Sequence, residues 1–272
     1  MTIPVQYLIN GRSDATLSPL DRGFAYGDGV FRTFKVTAGN PVNWLMQYTK
    51  LLEDCNVLGI VCPSAEVLLN DITQLFSPEH IAIAKIIITR GEGARGYALP
   101  ALAQPTRVVI KAPLPHYPSS NAEDGVRLHL CELRLSSQPR YAGIKHLNRL
   151  ENVMARMEWS DASIADGLLL DTRGNVIECT MSNLFARFGS NLFTPDLSLC
   201  GVAGITRQRI LDLAPGFGLR PEVHEIPLTK LMQADELLIC NSLFGVWQVR
   251  TFNNREWPKL DLAGNLRKAL HE

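Results

Sequence analysis

Residues 113–121 read Pro-Leu-Pro-His-Tyr-Pro-Ser-Ser-Asn. Prolines at 113, 115 and 118 remove backbone donors and resist both helix and ladder formation. A chain of 272 residues interrupted in this way is expected to form two units. The expected division is a first domain over 1–112, a linker over 113–120 and a second domain over 121–272. Hydrophobic residues make up 46% of the chain, so each half has the apolar mass to bury a core.

In the first half, Tyr7–Ile9 reads as a strand turning at Asn10-Gly11. Phe31–Thr37, Ile81–Thr89 and Arg107–Ala112 read as further strands, and apolar spacing predicts helices over Met46–Leu58 and Pro63–Phe76. In the second half, a strand over Val126–Leu135 precedes a helix expected from His146 to Trp159, with Leu147, Leu150, Met154 and Met157 on one face. Hairpins follow around Leu168–Cys179 and Asn183–Phe193, then a helix over Gly204–Leu213 and a strand over Leu237–Cys240. Antiparallel hairpins exclude a purely doubly wound parallel sheet.

Lys plus Arg is 27 and Asp plus Glu is 27, so no basic excess exists to neutralise a phosphate backbone or anchor to an anionic membrane. The longest apolar run, Ile81–Thr89, is broken by Lys85 and is too short to span a bilayer. The start, MTIPVQYLIN, lacks the pattern of a signal peptide, so the chain is expected in the cytoplasm. Six cysteines and six histidines are scattered without ligand spacing, and no metal site is expected.

Four features carry chemistry. Lys145 lies in Ala142-Gly143-Ile144-Lys145-His146-Leu147, with no acid beside it and a helix expected to begin there. A helix N-terminus and burial both disfavour its cationic form and lower its pKa from ~10.4, which suits a Schiff-base lysine. Gly204-Ile205-Thr206-Arg207 opens a helix whose first N–H groups, with the Thr206 hydroxyl, suit a phosphate, and Asn241-Ser242 ends a strand that could add a contact. Glu178 stands in an apolar strand and needs a partner such as a protonated ring nitrogen. Singly, each has a plain alternative: an exposed lysine, an ordinary helix start, a polar turn, a solvent-facing acid. Together they describe a pyridoxal phosphate site. Gly91-Glu92-Gly93-Ala94-Arg95-Gly96 matches G-x-G-x-x-G, but a strand rather than a helix follows, so a dinucleotide site is rejected. That turn projects Arg95 and Tyr97, either to grip an anionic substrate or to stand in solvent.

Asp21-Arg22-Gly23-Phe24-Ala25-Tyr26-Gly27-Asp28-Gly29-Val30-Phe31 resembles the opening motif of the fold-type IV pyridoxal phosphate enzymes, as do Glu178 with Asn183-Leu184-Phe185 and Gly204–Arg207. Within that class, Thr89–Gly91, Arg95–Tyr97 and Ala142–Glu151 resemble the aminodeoxychorismate lyases. The resemblance covers nearly the whole chain. It implies an α+β/α/β fold: an N-terminal α/β sandwich and a C-terminal α/β barrel-like domain, with the cofactor at their interface, in a homodimer. It further implies that Lys145 is the catalytic lysine and that Glu178 binds the pyridine nitrogen of pyridoxal 5'-phosphate. Ile205, Thr206 and Ser242 would hold its phosphate, with Asn241 nearby. Arg95, Tyr97 and Thr33 would meet the substrate. Relatives place an Arg on the first helix to hold the phosphate, and Lys50 stands there instead; Leu150 replaces the Tyr of branched-chain transaminases. The implied reaction releases pyruvate and 4-aminobenzoate from 4-amino-4-deoxychorismate. A D-amino-acid or branched-chain aminotransferase is the rival within the class, and a cofactor-binding protein without catalysis is the rival outside it.

Overall fold

The structure is a computed structural model and describes residues 6–271; the first five residues of the segment read for a leader lie outside it. The chain forms two compact units. The first runs to His116 and takes in Ile144–Asn148; the second holds Tyr117–Gly143 and Arg149 onward.

The first unit contains β1 (Gln6–Ile9), α1 (Arg22–Tyr26), β2 (Gly29–Thr37), β3 (Asn40–Pro41), α2 (Trp44–Leu58), α3 (Ala65–Leu75), β4 (Ala82–Thr89) and β5 (Thr106–Ala112). Its five strands form an antiparallel sheet in the order β1-β5-β4-β2-β3. Period-two alternation divides β2 between two faces. Val30, Phe34 and Val36 pack with Leu51 and Cys55 of α2 and Leu68 and Ile72 of α3. Phe31, Thr33 and Lys35 lie on the other face, half-buried. Gly59 ends α2 in the left-handed conformation (φ 63°), and Ser64 caps α3 by accepting the Val67 N–H at 3.3 Å.

The second unit contains α4 (Ser119–Glu123), β6 (Val126–Leu135), α5 (Leu150–Arg156), β7 (Ile164–Asp171), β8 (Asn175–Cys179), β9 (Asn183–Phe188), β10 (Asn191–Pro195), α6 (Ile205–Leu213), β11 (Arg220–His224), β12 (Ile226–Pro227), α7 (Leu228–Leu231), β13 (Glu236–Asn241), β14 (Gly245–Phe252), β15 (Arg255–Glu256) and α8 (Leu262–His271). Ten strands form one mixed sheet, along the path β11-β10-β9-β13-β14-β6-β7-β8-β12 with β15 beside β14. Residues 180–182 join β8 directly to β9, far apart on that path, and the sheet is a nearly closed barrel. Both faces of β13 are covered: Leu237 and Ile239 pack with Leu168, Leu184 and Trp247, while Leu238 and Cys240 pack with Ile210 of α6 and Leu266 of α8. Burial on both sides is why Leu237–Cys240 reads as an unbroken apolar run.

Two expectations need correction. The proline-rich stretch does contain a helix, α4, because Pro118 precedes the first turn, where no backbone donor is required. The helix expected from His146 exists only as α5, and Lys145 is therefore not at a helix N-terminus. Residues 145–147 bridge to β2 instead: Phe31 N–H donates to Lys145 O at 2.9 Å and Leu147 N–H to Gly29 O at 2.9 Å. Pairing with the open edge of β2 outweighs the helical periodicity, and Leu150 and Met157 are left 68% and 77% exposed.

Candidate active site

In the first unit, β2 is the platform. Lys145 hangs beside it, with Nζ 4.8 Å from the centre of the Phe31 ring. Thr33 is two residues further along the same face. Lys85, on β4, places its own Nζ 4.8 Å from the same ring, and burial pushes its ammonium below the ordinary lysine range. Lys35 is lowered for the same reason. Sequence reasoning treated Lys85 only as a break in an apolar run; its being the lone charge there was the available signal.

Behind the platform lies a buried acid that the sequence reading missed. Asp54 has no exposed surface. It accepts from Lys50 Nζ at 2.6 Å, from Arg32 Nη1 at 3.5 Å and from the backbone N–H of Lys145 at 3.3 Å. Burial drives the Arg32 guanidinium below its ordinary value, against the opposing pull of Asp54. Lys50, expected near a phosphate, is engaged here and also lies 3.8 Å from Glu53. Asp54 falls on the same helical face as Gln47, Leu51 and Cys55, and an acid on a buried stripe was the sign.

Arg95 and Tyr97 occupy the loop after β4; Arg95 is exposed and Tyr97 is 84% exposed. Gly91 starts the loop at φ +87°, where a side chain would collide with the Gln104 carbonyl. The Asp21 carboxylate accepts from Gly23 N–H and Thr89 Oγ1, both at 2.8 Å, which ties α1 to the loop's root.

In the second unit, Glu178 of β8 is 4% exposed and its Oε2 accepts the Val202 N–H at 2.8 Å. Asn183 accepts from Gly204 N–H at 3.2 Å and donates to Val202 O at 2.8 Å. Together they fix the turn that feeds α6. Gly204 caps α6 without any side-chain acceptor, so the first-turn N–H groups at Ile205 and Thr206 are not capped by a side chain. Thr206 Oγ1 lies 3.4 Å from Ser242 Oγ, which brings two hydroxyls together at that positive helix end. Asn241 Oδ1 accepts from Leu243 and Phe244 N–H at 2.9 and 3.0 Å, and Nδ2 donates to Met181 O at 3.2 Å. It shapes the turn that presents Ser242.

The family description "Amino-transferase class IV" matches residues 29–252. The chain belongs to the class IV aminotransferases. An aminodeoxychorismate lyase of Vibrio harveyi is 36% identical over 240 residues, 88% of this chain and 89% of that one. A putative branched-chain-amino-acid aminotransferase of Methanocaldococcus jannaschii is 29% identical over 97% of this chain and 93% of its own. The crystal structure of 4-amino-4-deoxychorismate lyase from Pseudomonas aeruginosa superposes with a TM-score of 0.92 at 43% identity, covering 97% of this chain and 98% of that one. Both units thus have the fold-type IV architecture, and the cofactor of this class IV chain is pyridoxal 5'-phosphate. The donor chemistry suits it: an amine for the aldehyde, a buried carboxylate for the ring nitrogen, and two hydroxyls at a helix N-terminus for the phosphate.

Proposed function

We propose that the protein is a pyridoxal phosphate-dependent lyase that converts 4-amino-4-deoxychorismate to 4-aminobenzoate and pyruvate for folate synthesis, acting in the cytosol as a homodimer. The observation that carries the reading is the Lys145 amine over the Phe31 ring, in a chain 43% identical to a solved 4-amino-4-deoxychorismate lyase over nearly its whole length. In this reading Lys145 holds the aldehyde carbon of the cofactor, and Glu178 holds a proton on the pyridine nitrogen. Thr206, Ser242 and the N–H groups of Ile205 and Thr206 hold the phosphate. Asn241 supports Ser242, and Lys50 lends charge from its pairing with Asp54. Arg95 and Tyr97 take a substrate carboxylate, with Thr33 lining the same pocket.

Bound pyridoxal phosphate supplies an aldehyde to receive the substrate amine and a ring that accepts the electrons of a breaking C–H bond. The Lys145 amine would take the proton from the amine-bearing ring carbon of the substrate. Loss of that proton lets the C–O bond to the enolpyruvyl group break. The carbocycle becomes aromatic, and the departing enolpyruvate gains a proton to become pyruvate. 4-Aminobenzoate would leave as the second product.

The test is incubation of purified protein with 4-amino-4-deoxychorismate and joint quantification of both products. Equimolar 4-aminobenzoate and pyruvate, abolished in Lys145→Ala, is the expected result. No release from cofactor-loaded protein would overturn the lyase and favour the aminotransferase reading, which the M. jannaschii relative keeps in view. D-alanine and branched-chain amino acids would then be the substrates to try.

A further inference from the structure

One guanidinium of the first unit has a task that the lysine, the acid and the phosphate cup do not explain. Arg22, at the start of α1, is 4% exposed. Its Nη1 donates to Gly96 O at 3.1 Å and to Ala98 O at 3.3 Å, and its Nη2 donates to Tyr97 O at 3.3 Å. Four residues on, Tyr26 Oη accepts the Gly96 N–H at 3.2 Å, and its ring lies 5.4 Å from that of Tyr97. A five-residue helix therefore grips three consecutive peptides of the substrate loop, from both the donor and the acceptor side.

The loop needs such a grip. Residues 93–99 belong to no strand or helix, so their carbonyls have no ladder to satisfy them. A planar fork with five donors serves these three carbonyls and the Asp28 carboxylate at once, one bond more than the three donors of an ammonium allow. The fork is itself aimed: Arg22 Nε donates to Asp28 Oδ2 at 2.9 Å. Asp28 also accepts from Arg90 Nε and Nη2 at 2.7 and 3.0 Å, and Arg90 reaches the Gly59 and Leu58 carbonyls that end α2, at 2.9 and 2.7 Å. The loop is thereby tied to the rigid sheet-and-helix core. At Gly93 a side chain would sit 3.0 Å from Arg22 Cδ, so the glycine lets the loop lie on the arginine's stem.

We propose that Arg22, assisted by Tyr26, is a positioning residue for substrate binding, holding the 93–99 loop in the conformation that presents Arg95 and Tyr97 to the substrate carboxylate. This rests on the reading of Arg95 and Tyr97 as substrate contacts. The Arg22 fork is spent on Asp28 and three loop carbonyls, so its loss weakens substrate binding and leaves the chemical step intact.

The experiment compares holoenzymes carrying Arg22→Lys, Tyr26→Phe and Arg95→Ala. In each, KM and kcat for 4-amino-4-deoxychorismate, the cofactor absorbance, and amide hydrogen exchange by segment are measured. Arg22→Lys is expected to speed exchange across 93–99 about tenfold and to raise KM about tenfold, as the loss of charged hydrogen bonds would. Its kcat and cofactor absorbance stay at the wild-type level. Tyr26→Phe moves the same quantities less. Arg95→Ala raises KM with no change in exchange; if it leaves KM unchanged, Arg95 is no substrate contact, and the anchoring is still judged by the exchange in Arg22→Lys. Unchanged exchange across 93–99, faster exchange spread over the whole first unit, or a fall in kcat at constant KM would each overturn the positioning role.

Discussion

Asp54 is a buried acid on which two cations and one backbone N–H of the first unit converge. Lys50 at 2.6 Å, Arg32 at 3.5 Å and the Lys145 N–H at 3.3 Å all point at one carboxylate with no exposed surface. Asp54→Asn preserves its shape and one acceptor oxygen but takes the nearest negative charge from Lys50 and from the buried Arg32. Removing one partner of a buried pair costs about 3–5 kcal/mol. With Lys50 18% exposed, the lower end applies, about 3 kcal/mol, or a Tm lowered by roughly 6–12 °C. Adding Lys50→Met should restore part of that loss, because it removes one stranded charge. Thermal melts of the single and double variants check this; a single-variant shift under ~2 °C would mean the cluster holds nothing together. The same residue shows where sequence reasoning stops. Lys145, Glu178, Thr206 and Ser242 stand out in the sequence because their side-chain chemistry suggests a use. Asp54 does not, because its meaning lies in a contact with a residue 91 positions away.

Elements are tied together by Asp28, which joins α1, the end of β4 and the end of α2 through Arg22 and Arg90. Burial pushes the Asp28 carboxyl upward, but hydrogen bonds from Arg90 and Arg22 outweigh it and hold the group below its ordinary value of 3.8. The unfolded chain, with the ordinary value, takes up the proton first as pH falls. The stability contributed is therefore complete above the ordinary value and is lost as pH drops through the lowered one. Urea midpoints measured from pH 6 down to pH 3 should fall more steeply for the wild type than for Asp28→Asn. The variant starts lower and converges with the wild type in acid; parallel curves would mean the node does not stabilise the fold. Elements were legible where local pattern and tertiary demand agree, as in α2, α3, β4 and β6. They were misread where the two compete: the 3.6-residue spacing after His146 is real, yet the open β2 edge takes this segment through an isolated bridge between Val30 and His146. β14 was passed over because Gln248 interrupts its apolar pattern; that amide is buried, donating to Pro258 O at 2.8 Å.

At the scale of the molecule, the single chain leaves apolar side chains in water on both units. Leu102 is 90% exposed, Tyr97 84% and Phe24 71% on the first; Met157 is 77% and Leu150 68% on the second. The second pair explains the misread helix from another side: the apolar spacing is genuine, but α5 buries Ala155 and leaves Leu150 and Met157 exposed. Scattered exposed apolar residues are normal, whereas several large ones on one short helix or loop mark an association surface. The homodimer proposed above should accordingly sediment at about 60 kDa, twice the chain mass of 30.2 kDa. Leu102→Asp combined with Met157→Asp places charges where desolvation is costly and should shift the equilibrium to the single chain, without loss of far-ultraviolet circular dichroism. Sedimentation equilibrium at micromolar concentration decides it. A wild-type mass near 30 kDa would remove the homodimer and require another partner for these side chains. A dimer indifferent to both aspartates would place its interface elsewhere on the surface.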